Sequence, residues 1–171
     1  MRRALELALL ALLAAPAAAL DPAAVKPAAV KGAARADLSF GPLTLRNVAW
    51  ENGAVVLPVS EVKGRKYSDV KLLSKGLYLK MEACFKAGCP AAKPSAPKVK
   101  IDSVKALKSP VRVANAEISL DGELLVTAGV MASKKEPGTF WVAFPPDIEF
   151  TDGAFKSAVE SAVIAAWTKK K

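Results

Sequence analysis

The stretch Pro110-VRVANAEISLDGELLVTAGVMASKKEPGTFWVAFPPDIEFTDGAFKSAVESAVIAA-Trp167 decides the fold. Leu120-Asp121-Gly122-Glu123 marks a hairpin, because Asp-Gly accepts the positive φ angles of a type I′ turn and is flanked by alternating apolar residues. Ala114, Ala116, Ile118 and Leu120 share one face of the incoming strand. Leu124, Val126, Ala128, Val130 and Ala132 share one face of the outgoing strand. A polar turn through Lys134, Lys135 and Gly138 leads to a third strand with Phe140, Val142 and Phe144, and Pro145-Pro146 stops it, since proline brings no N–H to a ladder. The spacing of Phe155, Val159, Ala162, Val163, Ala166 and Trp167 then predicts a helix with one apolar stripe, capped by Thr151 or Asp152 and ending in Lys169, Lys170 and Lys171. The expected class is α+β, an antiparallel meander packed by a C-terminal amphipathic helix.

Working backwards, Lys98 to Leu107 supplies a leading strand, and Pro90, Pro94 and Pro97 mark residues 91–98 as a linker. The preceding part, residues 38–90, reads as a second α+β half. Leu43, Leu45 and Val48 begin a strand that reaches about Trp50, and Asn52-Gly53 turns it into a strand from Ala54 to Val62. Pro58 puts that second strand at an edge or a bulge. Lys63-Gly64-Arg65 turns again into Lys66 to Leu73. Leu77, Tyr78, Met81, Cys84 and Phe85 then recur at helical spacing between the cap Ser74 and Gly88. On this reading each half is a meander with one helix, so the chain has the outline of two ββ(β)α halves.

The beginning has a different character. Arg2-Arg3, the apolar run from Leu7 to Ala15, and Ala17-x-Ala19 have the form of an export signal at residues 1–19, cut after Ala19. Residues 20–37 twice contain Pro-Ala-Ala-Val-Lys and no aromatic side chain, and are expected to form a flexible tether. In an exported chain, Cys84 and Cys89 are expected to form a local disulfide.

The stretch from about Lys98 onwards resembles the septation regulator SpoVG (stage V sporulation protein G) family. The likeness is carried by Ile118-x-Leu120-Asp121, by Gly138 before a strand ending Val142-Ala143-x-Pro145, by Asp147-Ile148-x-Phe150, and by Ala162-Val163 with Trp167 four residues after the valine. The resemblance implies a role in septation and cell-division control, with nucleic-acid contact through a basic hairpin between the Ala-x-Pro strand and the Asp-Ile segment. Here Pro146 alone occupies that interval.

The 171-residue chain carries 25 basic and 16 acidic residues, a net charge of +9 that favours anionic partners. Its candidate polyanion contacts are Lys63, Arg65 and Lys66, Lys134 and Lys135, and Lys169, Lys170 and Lys171. With no histidine, the Ser-His and Cys-His nucleophilic pairs and the commonest metal ligand are excluded, and no phosphate-binding glycine loop is present. The reading is therefore a non-enzyme without metal, cofactor or small-molecule substrate. Its expected classes are an exported SpoVG-like envelope module, a nucleic-acid-binding regulator, or a general polyanion binder. Unpaired strand edges point to a homodimer, a protein partner, or an internal pseudo-dimer of the two halves.

Overall fold

The structure is a computed structural model that describes residues 20–30, 33–89 and 95–170. The export signal, half of the linker (91–94) and Lys171 lie outside the described residues. Order begins before Leu38: β1 (Ala23–Val30) and β2 (Ala33–Phe40) pair antiparallel, from Ala23 on Ser39 to Val30 on Ala33. This corrects the reading of 20–37 as a tether. Ladder bonds come from backbone groups that alanine supplies like any other residue, and Pro27 sits on an edge strand, where a missing N–H is tolerated.

β3 (Leu43–Glu51) pairs with β2, and its fully buried side chains run Leu43, Leu45 and then Val48 because Arg46 and Asn47 bulge opposite Asp37. Asn52 and Gly53 both have positive φ and turn the chain into β4 (Ala54–Val56). The single strand expected over Ala54–Val62 is broken at Leu57–Val59 by Pro58. β5 (Ser60–Val62) and β6 (Arg65–Tyr67) form a separate two-stranded ribbon. The expected strand from Lys66 to Leu73 is accordingly two pieces, β6 and β7 (Val70–Leu72).

Helix α1 (Lys75–Ala87) starts where Ser74 Oγ accepts a hydrogen bond from the Leu77 amide, and it ends at Gly88 with φ 86°. Beyond it come β8 (Val99–Ala106), β9 (Arg112–Leu120), β10 (Leu124–Ala132), β11 (Phe140–Ala143) and β12 (Ile148–Phe150). Helix α2 (Gly153–Thr168) follows, capped by Asp152, whose carboxylate accepts from the amides of Ala154 and Phe155. The chain is α+β.

The strands form two larger sheets of the same plan. In one the order is β1-β2-β3, and the far edge of β3 is shared by β12 at Leu43–Leu45 and by β4 at Ala49–Glu51. In the other it is β8-β9-β10, and the far edge of β10 is shared by β7 at Leu124–Val126 and by β11 at Gly129–Ala132. Element for element, β1-β2-β3-β4-β7-α1 runs parallel to β8-β9-β10-β11-β12-α2. The two short strands before the helices are exchanged, so each half completes the other's sheet. A boundary at 91–98 therefore does not divide the packing: one hydrophobic cluster contains Leu38, Phe40, Leu43 and Leu45 together with Ile118, Leu124 and Val130.

Helix α2 lies on β8, β10 and β11 and reaches β12. Val159, Val163 and Trp167 are its buried residues, while Phe155, Ile164 and Ala166 are partly buried against the core. Ala162, expected in the stripe, faces out instead, because the buried row follows the i, i+4, i+8 spacing of Val159. Burial of each large member of this row contributes about 1.5–3 kcal/mol before ordering costs. No helix among the described residues is long and apolar enough to cross a membrane.

Candidate functional site

The ribbon β5–β6 is strongly exposed: every residue from Glu61 to Ser68 is open to solvent. Its two-residue turn, Lys63-Gly64, has φ of 51° and 73°, as a type I′ turn requires. Glycine suits such angles, whereas lysine adopts φ of 51° against its own Cβ. A cation is thus held at the ribbon's tip by a residue poorly suited to the conformation. The register Ser60–Tyr67, Glu61–Lys66 and Val62–Arg65 places Val62, Arg65 and Tyr67 on one face and Glu61 with Lys66 on the other. Val62 is 56% and Tyr67 43% exposed. Beside Arg65 the ribbon therefore offers an aromatic ring and an aliphatic surface, a combination suited to stacking or stripping water from an anionic polymer.

A polar cleft of about 360 Å³ opens where the chain enters the ribbon, lined by Arg35, Asn47, Glu51, Pro58, Val59 and Asp147 among others. Asn47, with φ 58° in the middle of β3, is the bulge residue. Its amide donates to Asp37 Oδ1 at 2.9 Å and its Nδ2 donates to Asp147 Oδ1 at 2.7 Å. Arg46 lies between Asp37 and Glu149, at 3.9 and 3.8 Å. The carboxylates here hold the bulge, and Asp147, part of the family-like motif, serves in that bracing. Arg35 Nε has no hydrogen-bond partner although it is shielded from solvent; its terminal nitrogen is 3.9 Å from Glu51.

The outward face of β8 and β9 carries the other group of polar side chains. Glu117 accepts from Ser103 Oγ at 2.5 Å and from Lys105 Nζ at 3.3 Å. The Ser103 hydroxyl and the Lys105 ammonium hold its carboxyl below the ordinary carboxylate value. Asp102, at the bulge in β8, is likewise held low by Lys100 and by Ser119. Carboxylates stabilised in the charged form at neutral pH are weak proton acceptors, and their partners here are fixed ones.

The remaining predicted residues sort into structural roles and separate basic positions. Ile118, Leu120, Val142, Ile148, Val163 and Trp167 are buried, and Trp167 meets Phe140 edge-on at 6.1 Å. Asp121 has φ 49° in the hairpin turn, and its side chain accepts from the Lys98 amide. Gly138, with φ 89°, turns the chain into β11, Pro145 offers its carbonyl to Ile148, and Phe150 meets Phe144 edge-on and Phe155 at a tilt. Ala143 pairs with Gly129. Cys84 and Cys89 are joined as a disulfide at the end of α1.

The candidate cations occupy three different elements. Lys63, Arg65 and Lys66 are on the ribbon, Lys134 and Lys135 in the β10–β11 turn, and Lys169 and Lys170 at the end of α2, where Lys170 Nζ donates to the Val104 carbonyl. Sequence reasoning missed the Asn47 bulge; its one trace was the step from Leu45 to Val48 in the apolar pattern. It also missed Trp141, 53% exposed beside a groove formed with Pro145, Pro146, Phe150 and Lys156. Among the described residues no cluster of metal-ligating side chains occurs. Compared with protein-family models, curated proteins and solved structures, the chain matches none.

Proposed function

We propose that this protein is an exported, non-catalytic binding module of SpoVG-like build that works in the cell envelope, serves septation, and takes hold of anionic polymers through the ribbon β5–β6. The observation that carries this reading is the ribbon's position in the duplicated plan. The resemblance implies a basic hairpin between the Ala-x-Pro strand and the Asp-Ile segment, which is the interval between β11 and β12. In the first half the matching interval lies between β4 and β7, and the ribbon with Lys63, Arg65 and Lys66 stands there. The function assigned to one hairpin is thus carried by its counterpart.

Export is supported by the disulfide and by the form of residues 1–19. A short ribbon with few cations binds polyanions mainly by releasing counterions and reads no base sequence. Binding to unrelated DNA duplexes and to an anionic polysaccharide is therefore expected to be weak, similar among them, and steeply reduced by salt. Fusing residues 1–30 to a reporter that matures only outside the cytoplasm tests the compartment. A silent reporter, together with a tight complex on one DNA sequence near physiological salt, would replace this reading with that of a nucleic-acid-binding regulator.

A further inference from the structure

Leu20, the residue that follows the Ala17-x-Ala19 signature, is seated as a core residue rather than as a chain end. Its side chain is 3% exposed and belongs to the central hydrophobic cluster. Its nitrogen donates to Glu123 Oε2 at 2.8 Å, and its carbonyl accepts from Lys80 Nζ at 3.0 Å. Lys80 also pairs with Asp21 at 2.8 Å. Pro22 is buried beside the disulfide, with its carbonyl 3.9 Å from Cys84 Sγ.

Glu123 is held ready for a partner. Its other oxygen accepts from Ser74 Oγ at 3.0 Å, and that same hydroxyl oxygen caps α1 by accepting from the Leu77 amide. Its backbone carbonyl accepts from the Leu73 amide and its own amide donates to Leu120. A carboxylate fixed this firmly, aimed at one backbone nitrogen, matches an ammonium better than an amide, since the ammonium adds the attraction of a full positive charge to a hydrogen bond in which so far only the acceptor is charged.

We propose that the chain is cut between Ala19 and Leu20, and that the new α-ammonium of Leu20 closes on Glu123 as an ion pair that locks α1 to the β9–β10 turn. The cut requires a peptidase that accepts small residues one and three positions before the bond, which Ala19 and Ala17 provide. Water adds to the Ala19 carbonyl carbon and the C–N bond breaks. Ala19 keeps the water's oxygen as a carboxylate, and Leu20 keeps the nitrogen, which takes up both of the water's protons and becomes an ammonium. The lock joins the two exchanged halves at one point, because Ser74 and Lys80 belong to the first half and Glu123 to the second. The inference rests on the export reading for the origin of the cut, while the ion pair stands on geometry alone.

Two otherwise identical proteins test it, one beginning at Leu20 and one at Ala17, each released from a removable fusion and each also made with Glu123→Gln. The Leu20 form is expected to melt about 2–4 °C above the Ala17 form, the shift of roughly one charge-assisted bond in a domain of this size. Glu123→Gln should bring the two to the same melting temperature. Should the glutamine variant fail to fold, the wild-type pair decides by itself: equal melting temperatures overturn the lock. The mass of the chain recovered from the producing cells separates the two ideas. A chain with Met1 intact overturns the cut, and with a silent reporter on residues 1–30 the export reading too, whereas a Leu20 start with equal melting temperatures overturns the lock and leaves export standing.

Discussion

Glu117 lies on the outward face of β9, yet it is among the most firmly held carboxylates in the chain, because Ser103 and Lys105 reach it from the neighbouring strand. Its folded pKa is lowered, so it contributes stability that is present above the ordinary carboxylate value and is lost as pH falls through the lowered folded value. Asp102 acts in the same sense. Acidification from about pH 4 downward should therefore weaken the wild-type protein more than Glu117→Gln, as read from urea midpoints at neutral and acid pH. Identical pH dependence in the two proteins would show that the contact carries no stability. Single residues with local jobs were legible in the sequence: Ser74 and Asp152 as caps, and Asn52-Gly53 and Asp121-Gly122 as tight turns. Asn47 was not, since its left-handed backbone is sustained by Asp37 and by Asp147 from the far end of the chain.

Among the elements, the two helices, the hairpin β9–β10 and the Lys63-Gly64 turn follow from periodicity and turn chemistry, whereas β1 and most of β2 fall in the stretch read as a tether. The Ala-Pro-Lys repeat of β1 has no apolar alternation to announce a strand and β1 is ordered by pairing with β2, while β2 turns Ala36, Leu38 and Phe40 inward and pairs with β3, an alternation too short and alanine-rich to stand out. Before the ribbon, Pro58 reads in the sequence as the mark of an edge or a bulge within one strand, whereas it ends β4 and frees β5 to pair with β6 alone. The turn of this ribbon combines strain with charge at Lys63. Lys63→Asn is expected to raise stability by about 0.5–1 kcal/mol, since asparagine tolerates the left-handed region, and at the same time to weaken polyanion binding by removing one cation. Denaturant midpoints and a binding titration on the same preparation check both halves. A variant that gains no stability would mean that the turn relaxes without strain.

At the scale of the whole molecule, the exchange of β7 and β12 makes the two halves one folding unit, and this was hidden because strand partners far apart in the sequence leave no mark on local patterns. Fragments ending and beginning in the linker at 91–98 are each expected to lack a cooperative melting transition. Mixing them should restore one, as each supplies the strand that completes the other's sheet. A fragment that melts cooperatively by itself would show that the halves are autonomous. In the proposed function the polyanion site belongs to the first half, where the ribbon stands between β4 and β7, the interval that corresponds in the duplicated plan to the short link between β11 and β12. The most direct measurement of that claim is a salt series of polyanion titrations on the wild type and on the triple variant Lys63→Ala, Arg65→Ala, Lys66→Ala. The ribbon is exposed and stands apart from the core, so the variant should melt like the wild type. The prediction is at least a tenfold loss of affinity at low salt and a flatter dependence of log K on log salt, by about 0.9 for each phosphate contact removed; unchanged affinity and slope in a variant with intact stability would contradict the account.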